Sequence, residues 1–170
     1  MIRHLTGRDY REMPWANGRG VTVEMLRVDR DGALLWRLSR ASVVEDGDFS
    51  LFPGIDRNLT VISGPGFDLV GEGVHLQARP LQPVSFAGDV AITAQGVTAP
   101  SDDFNVMAAR GVAVEVQVLD GGELAPGGTL AVFALGAAVV KGSALAKYDL
   151  LVTDEAISFT GLGIVVRIIG

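Results

Sequence analysis

The chain has 170 residues, enough for one domain or two small fused lobes, and its mean hydropathy of +0.35 is high for a chain without long apolar runs. A net charge of −6, a pI near 4.8 and the absence of cysteine argue against disulfides, thiolate metal sites, a cysteine nucleophile and nucleic-acid binding. The longest apolar run, "LAVFALGAAVV", is too short to cross a membrane, and "MIRHLTGRDY" lacks a signal-peptide core, so a cytoplasmic location is expected.

In chain order, "TGRDYREM" could form a turn or two of helix, and it is followed by the Gly-x-Gly turn of "PWANGRG" with Trp15 and Asn17. That turn runs into "VTVEMLRV", whose alternation sets Thr22 and Glu24 on one face and Val21, Val23 and Met25 on the other. "LLWRLSRASV" puts Arg37, Ser39 and Ala41 on one face and Leu34, Trp36 and Leu38 on the other. "GDFSLFPGIDRNL" is a stiff aromatic corner with Phe49, Ser50, Phe52 and Arg57, leading into the strand "NLTVISG". The strands "FDLV", "VSF" and "VAITAQ" follow, with "GEGVHLQARPLQP" read as a long connection. "DDFNVMA" again alternates, Asp103, Asn105 and Met107 against Phe104 and Val106. Short apolar strands then succeed one another: "VAVEVQVL", "LAVFALG", "AAVVKG", "DLLVTDE", "AISFTG" and "GIVVRIIG". No stretch keeps a helical period, and many short strands between glycine turns predict an all-β sandwich or barrel.

An internal echo suggests duplication. "LTVISGPGFDLV" followed by "VSFAGDVAITA" is matched later by "LAVFALGAAVV" followed by "LAKYDLLVTDE", with Asp89 and Asp149 in corresponding places.

"WANGRGVTVE", "WRLSRASV", "GDFSLFPGIDRNLTVISG", "FAGD" and "DFNVM", in this order and spacing, resemble the HutD/Ves family across essentially the whole chain. The resemblance implies an antiparallel, cupin-like double β-barrel. Residues 1–111 would form a first lobe with the pocket, and 112–170 a smaller second lobe with few polar groups. HutD-type members accompany histidine-utilisation genes, and Ves-type members are linked to cold or stress responses.

Many cupins hold a metal through a close histidine pair. Here His4 and His75 are the only histidines and form no such pair, so neither a metal nor another cofactor is expected. The polar strand faces have an ordinary reading as solvent-facing sides. If they point into one lobe, they line a polar pocket with a candidate site at Asn17, Thr22, Glu24, Trp36, Arg37, Ser39, Phe49, Ser50, Arg57, Asp103 and Asn105. Arg37 offers the planar fork that grips a carboxylate, or else pairs with Glu24 or Asp103; Arg57 has the same choice, with Asp56 as its local partner.

These features lead to the expectation of a metal-independent binder of a small carboxylate metabolite, with a regulatory role in histidine utilisation. Urocanate or formylglutamate is the ligand class implied by the resemblance. The alternative is a metal-independent isomerase, hydrolase or deformylase with Glu24 as general base; no other catalytic residue is nominated. A third reading is a protein-interaction module, and the edge strands make a homodimer plausible.

Overall fold

Alternation and glycine punctuation give seventeen strands and, among the described residues, no helix. The structure is a computed structural model that describes residues 1–15, 18 and 20–170. Two units divide it: Arg11–Arg110 forms one, and Met1–Tyr10 with Gly111–Gly170 forms the other. The first ten residues thus group with the later part of the chain, where the sequence reading had grouped 1–111.

The physical reason is strand pairing. β1 (Ile2–Leu5) is hydrogen-bonded to a strand nearly 150 positions away, in the register Ile2↔Thr153 to Leu5↔Leu150. The Tyr10 hydroxyl donates to the Tyr148 carbonyl at 2.6 Å and ties down the end of this segment. The stretch expected to start a helix is instead a turn, because Asp9 accepts from the Thr6 N–H at 2.9 Å before the next strand begins.

In the unit Arg11–Arg110, β2 (Arg11–Pro14), β3 (Val21–Arg30) and β4 (Ala33–Val43) form a meander. Its second hairpin turns on Asp31-Gly32, both at positive φ as a tight two-residue hairpin needs. There follow β5 (Gly47–Asp48), β6 (Ile55–Ser63), β7 (Phe67–Gly71), β8 (Val74–Ala78), β9 (Val84–Ala87), β10 (Ile92–Gln95) and β11 (Ser101–Ala109). Two antiparallel sheets result, ordered β2-β3-β4-β11-β6-β9 and β5-β10-β7-β8. Between them lies one apolar core, with Val43, Leu59, Val61 and Phe86 from the larger sheet and Phe67, Leu69, Ala78, Ile92 and Ala94 from the smaller. Each large side chain so buried contributes about 2 kcal/mol. The other face of the larger sheet is buried too, at Trp36, Leu38, Phe104 and Val106.

The second unit adds β12 (Ala113–Leu124), β13 (Thr129–Ala134), β14 (Ala138–Val140), β15 (Ser143–Leu145), β16 (Leu150–Thr153) and β17 (Ile157–Ile169). Its antiparallel sheet runs β1-β16-β13-β17-β14-β15, with β12 also on β17. The core of Leu130, Val132, Ala134, Val140, Leu151, Ile157 and Val165 is apolar throughout. "AISFTG" and "GIVVRIIG", read as two strands, are one. Gly161, at φ +97, lets β17 carry a register shift there without breaking the ladder.

The echo has a structural counterpart in its two aspartates. Asp89 accepts from the Gly54 N–H and pairs with Arg110; Asp149 accepts from the Ala146 N–H and lies 3.0 Å from His4. The strands that follow differ in partner, since β10 joins β7 whereas β16 joins β13.

Candidate functional site

The three polar strand faces converge. Register places Thr22 beside Ala41, Asn105 beside Ser39, and Met107 beside Arg37 on one side and Arg57 on the other. One face of the larger sheet is therefore apolar toward one end, where it joins the core, and polar toward the other. At the polar end is a cavity of about 330 Å³, within the size range of small-ligand sites. Thr22, Arg37, Ser39, Asp103 and Asn105 line its sheet side. Trp15, Phe49, Ser50, Phe52 and Arg57 also border it.

Among the expected residues, Asn17 lies outside the described residues. Trp36 is buried but does not line the cavity, because strand alternation turns it to the opposite face from Arg37. Glu24 is also not a lining residue: its Oε2 is 2.8 Å from Arg37 Nε, and both side chains are largely buried. Arg37 therefore takes the partner that the sequence offered as its structural alternative, while remaining in the cavity wall and pointing Nη2 at the Met13 sulfur at 3.5 Å. Thr22 is anchored by the Trp15 indole N–H, which donates to its hydroxyl at 2.9 Å.

Arg57 departs from its expected local pairing. Asp56 is held instead by Arg110, and Arg57 turns inward, 8% exposed. Strand alternation explains the split, since neighbouring residues on β6 face opposite sides. The guanidinium lies 5.4, 5.2 and 5.1 Å from the ring centres of Phe49, Phe52 and Phe86. Its Nη1 reaches the Ser50 carbonyl at 3.4 Å, but its Nε is buried without a hydrogen-bond partner. Among the described residues no carboxylate lies within ion-pair distance of it. Burial, with Arg37 nearby, holds its pKa down at about 10 despite the opposing pull of Asp103.

Asp103 is the other unusual group, at 1% exposure. One carboxyl oxygen accepts a short hydrogen bond from Asn105 Nδ2, and the other, Oδ2, is buried without a partner among the described residues. Burial pushes its pKa up to about 7, against the lowering effects of Asn105 and Arg57. The sequence placed Asp103 on the pocket face; what it could not show is that this acid is almost fully buried in the cavity wall.

Trp15, beside the Gly-x-Gly turn, and Phe52, from the aromatic corner, line the cavity although neither is among the expected site residues. Ala41, Val43 and Asp48 also line the cavity, and the small residues follow directly from the alternation of β4.

The metal question has a direct answer in donor chemistry. Among the described residues no three His, Cys, Asp or Glu side chains are grouped to hold an ion. His4 pairs with Asp149 and His75 with Asp68, and none of the four lines the cavity, so the lining does not supply the donors of a cupin-type metal. No helix of the described residues is long and apolar enough to cross a membrane.

The fold and site define an all-β protein of antiparallel sheets with a small, arginine-bearing cavity in one unit. The same fold, at 9% identity, occurs in the nickel-bound bacterial pirin YhhW of Escherichia coli, with a TM-score of 0.69 over 99% of both chains. The HutD family model matches residues 7–162, and the chain belongs to the HutD family. HutD from Pseudomonas fluorescens SBW25 superposes with a TM-score of 0.92 at 33% identity, covering 99% of this chain and 98% of that one. An uncharacterised 21.2 kDa protein from the hutC 3′ region of Pseudomonas putida is 36% identical over 62% of this chain, and protein Ves of Citrobacter koseri 38% identical over 60%. These matches span 57% and 56% of the two relatives' lengths.

Proposed function

We propose that the cavity binds a small carboxylate metabolite without a metal, and that this binding serves a regulatory role in histidine utilisation. The observation that carries the reading is Arg57: a buried guanidinium set among three phenylalanine rings, with no carboxylate partner and an unmatched Nε–H among the described residues, in a cavity sized for a small molecule. A buried cation of this kind is costly alone and favours an anion that supplies its missing contacts. Arg37, Ser39 and Asn105 add donors, and the aromatic corner supplies the apolar wall. Membership of the HutD family and the likeness to a hutC-region protein support histidine-breakdown acids such as urocanate and formylglutamate as the ligands to test. We read the two units as paired cupin-like lobes, the later one structural.

The catalytic alternative on Glu24 has less support, because Arg37 occupies that carboxylate and it lies outside the lining. A thermal-shift and calorimetric screen of urocanate, formylglutamate and unrelated dicarboxylates tests the binding reading. A selective rise in melting temperature, with no product on incubation, is expected. A flat screen overturns the carboxylate assignment, and turnover favours the enzyme.

A further inference from the structure

We propose that this cavity binds its anionic ligand together with one proton taken from solvent, and that Asp103 is where the proton resides. The proposal rests on the anion-binding reading of the cavity and adds the charge state in which the cavity accepts a ligand.

Arg57 on β6 acts on the Asp103 carboxyl, and Arg37 on β4 lines the same cavity four positions along from Ala41, the residue opposite Asp103; on β3 Glu24 is already joined to Arg37 at 2.8 Å. On its own strand the neighbouring Asp102 points to the other side, where Ser42 and Ser63 donate to it. Asp48 belongs to the lining from the smaller sheet and accepts from Thr93 at 2.9 Å. Among the described residues Asp103 has no such donor beyond Asn105, and no ion pair joins it to Arg57.

With Asp103 ionised, Arg57 shares the cavity wall with a negative charge, and an incoming carboxylate meets that charge at short range in a medium poor in water. With Asp103 neutral, the repulsion disappears and Arg57 is left to the ligand. The ligand's own charge in turn raises the affinity of Asp103 for a proton, since the two equilibria are linked. The overall step is balanced: a ligand carboxylate and an ionised Asp103, with one proton from the buffer, give a ligand carboxylate beside a neutral Asp103. No bond other than O–H forms. The ligand class this selects is a small acid that seats one carboxylate at Arg57.

Formylglutamate is a suitable probe, because its carboxyl groups titrate far below neutrality. Calorimetry at about pH 8 in two buffers of widely different ionisation enthalpy should show heats that differ by close to one proton taken up per ligand. The dissociation constant should rise toward tenfold per pH unit in the alkaline range, and Asp103→Asn should bind with a flat profile. Equal heats in the two buffers, with normal binding, overturn the proton and leave the anion-binding reading intact. Absence of binding by formylglutamate and by every acid of the screen overturns both. Should Asp103→Asn fail to fold, the two-buffer experiment on the unaltered protein still decides.

Discussion

Arg57 and Asp103 carry opposite consequences of the same burial. For Arg57, replacement by methionine keeps the contact with Phe49, Phe52 and Phe86 and removes the charge. Arg57→Met is expected to weaken carboxylate binding at least tenfold in calorimetry, with the melting temperature held or raised. For Asp103, the folded protein prefers the protonated acid, so its contribution to stability is full below about pH 4 and declines as pH rises toward about 7. Asp103→Asn should remove that decline, worth about 4 kcal/mol at most, in urea unfolding compared at acidic and mildly alkaline pH. Arg37 behaves differently. Arg37→Ala leaves Glu24 largely buried beside no cation, and a loss of about 1–3 kcal/mol is expected, relieved when Glu24→Leu accompanies it. Alternation alone made Thr22, Arg37, Ser39, Asp103 and Asn105 legible as one face. Which arginine keeps a carboxylate was not legible, because that depends on cross-strand geometry: Glu24 stands across from Ser39, within reach of Arg37, while Asp56 turns away from Arg57.

At the scale of elements, the aromatic corner between β5 and β6 is fixed by backbone as much as by rings. The Phe52 N–H donates to the Gly88 carbonyl at 2.8 Å, and the Gly88 N–H to the Ile55 carbonyl at 2.7 Å. Arg110 fastens the same corner from outside by its contacts with Asp56 and Asp89, and Asp89, at a pKa of about 2, also accepts from Gly54. A methyl group at Gly88 would come within 2.5 Å of the Phe52 carbonyl oxygen and 2.8 Å of that of Ile55. Gly88→Ala is therefore expected to cost about 1–3 kcal/mol and to weaken ligand binding together, measured by thermal unfolding and calorimetry on one sample. The long strands β3, β4, β6 and β12 were plain in the sequence, as runs rich in apolar residues between turn signals. β8 was hidden: "VHLQA" exposes His75 and Gln77 and looks like a loop until β7 supplies its partner. β1, β2 and β15 are three or four residues long, below the length at which a period can be read.

For the whole molecule, the division of the chain is uneven in sequence. Arg11–Arg110 is one continuous stretch, while the other unit is assembled from both ends of the chain. β1 covers the edge of β16, a strand whose four residues are all buried. Removing residues 1–10 should expose that edge, so the shortened protein is expected to melt lower and to associate, seen as a larger mass in light scattering after size exclusion. The sequence grouped 1–111 together because nothing in "IRHL" names a partner on the far side of a hundred residues.

That arrangement has a consequence in time. As the chain emerges during synthesis, Arg11–Arg110 holds all the partners of its own strands and can mature before the remainder appears. β1, made before the other strands, pairs with β16 and must wait until Leu150–Thr153 has been made. Its closure spans nearly the full chain, a modest entropic cost but a slow search. A strand that precedes the others in the chain is thus among the last to find its place.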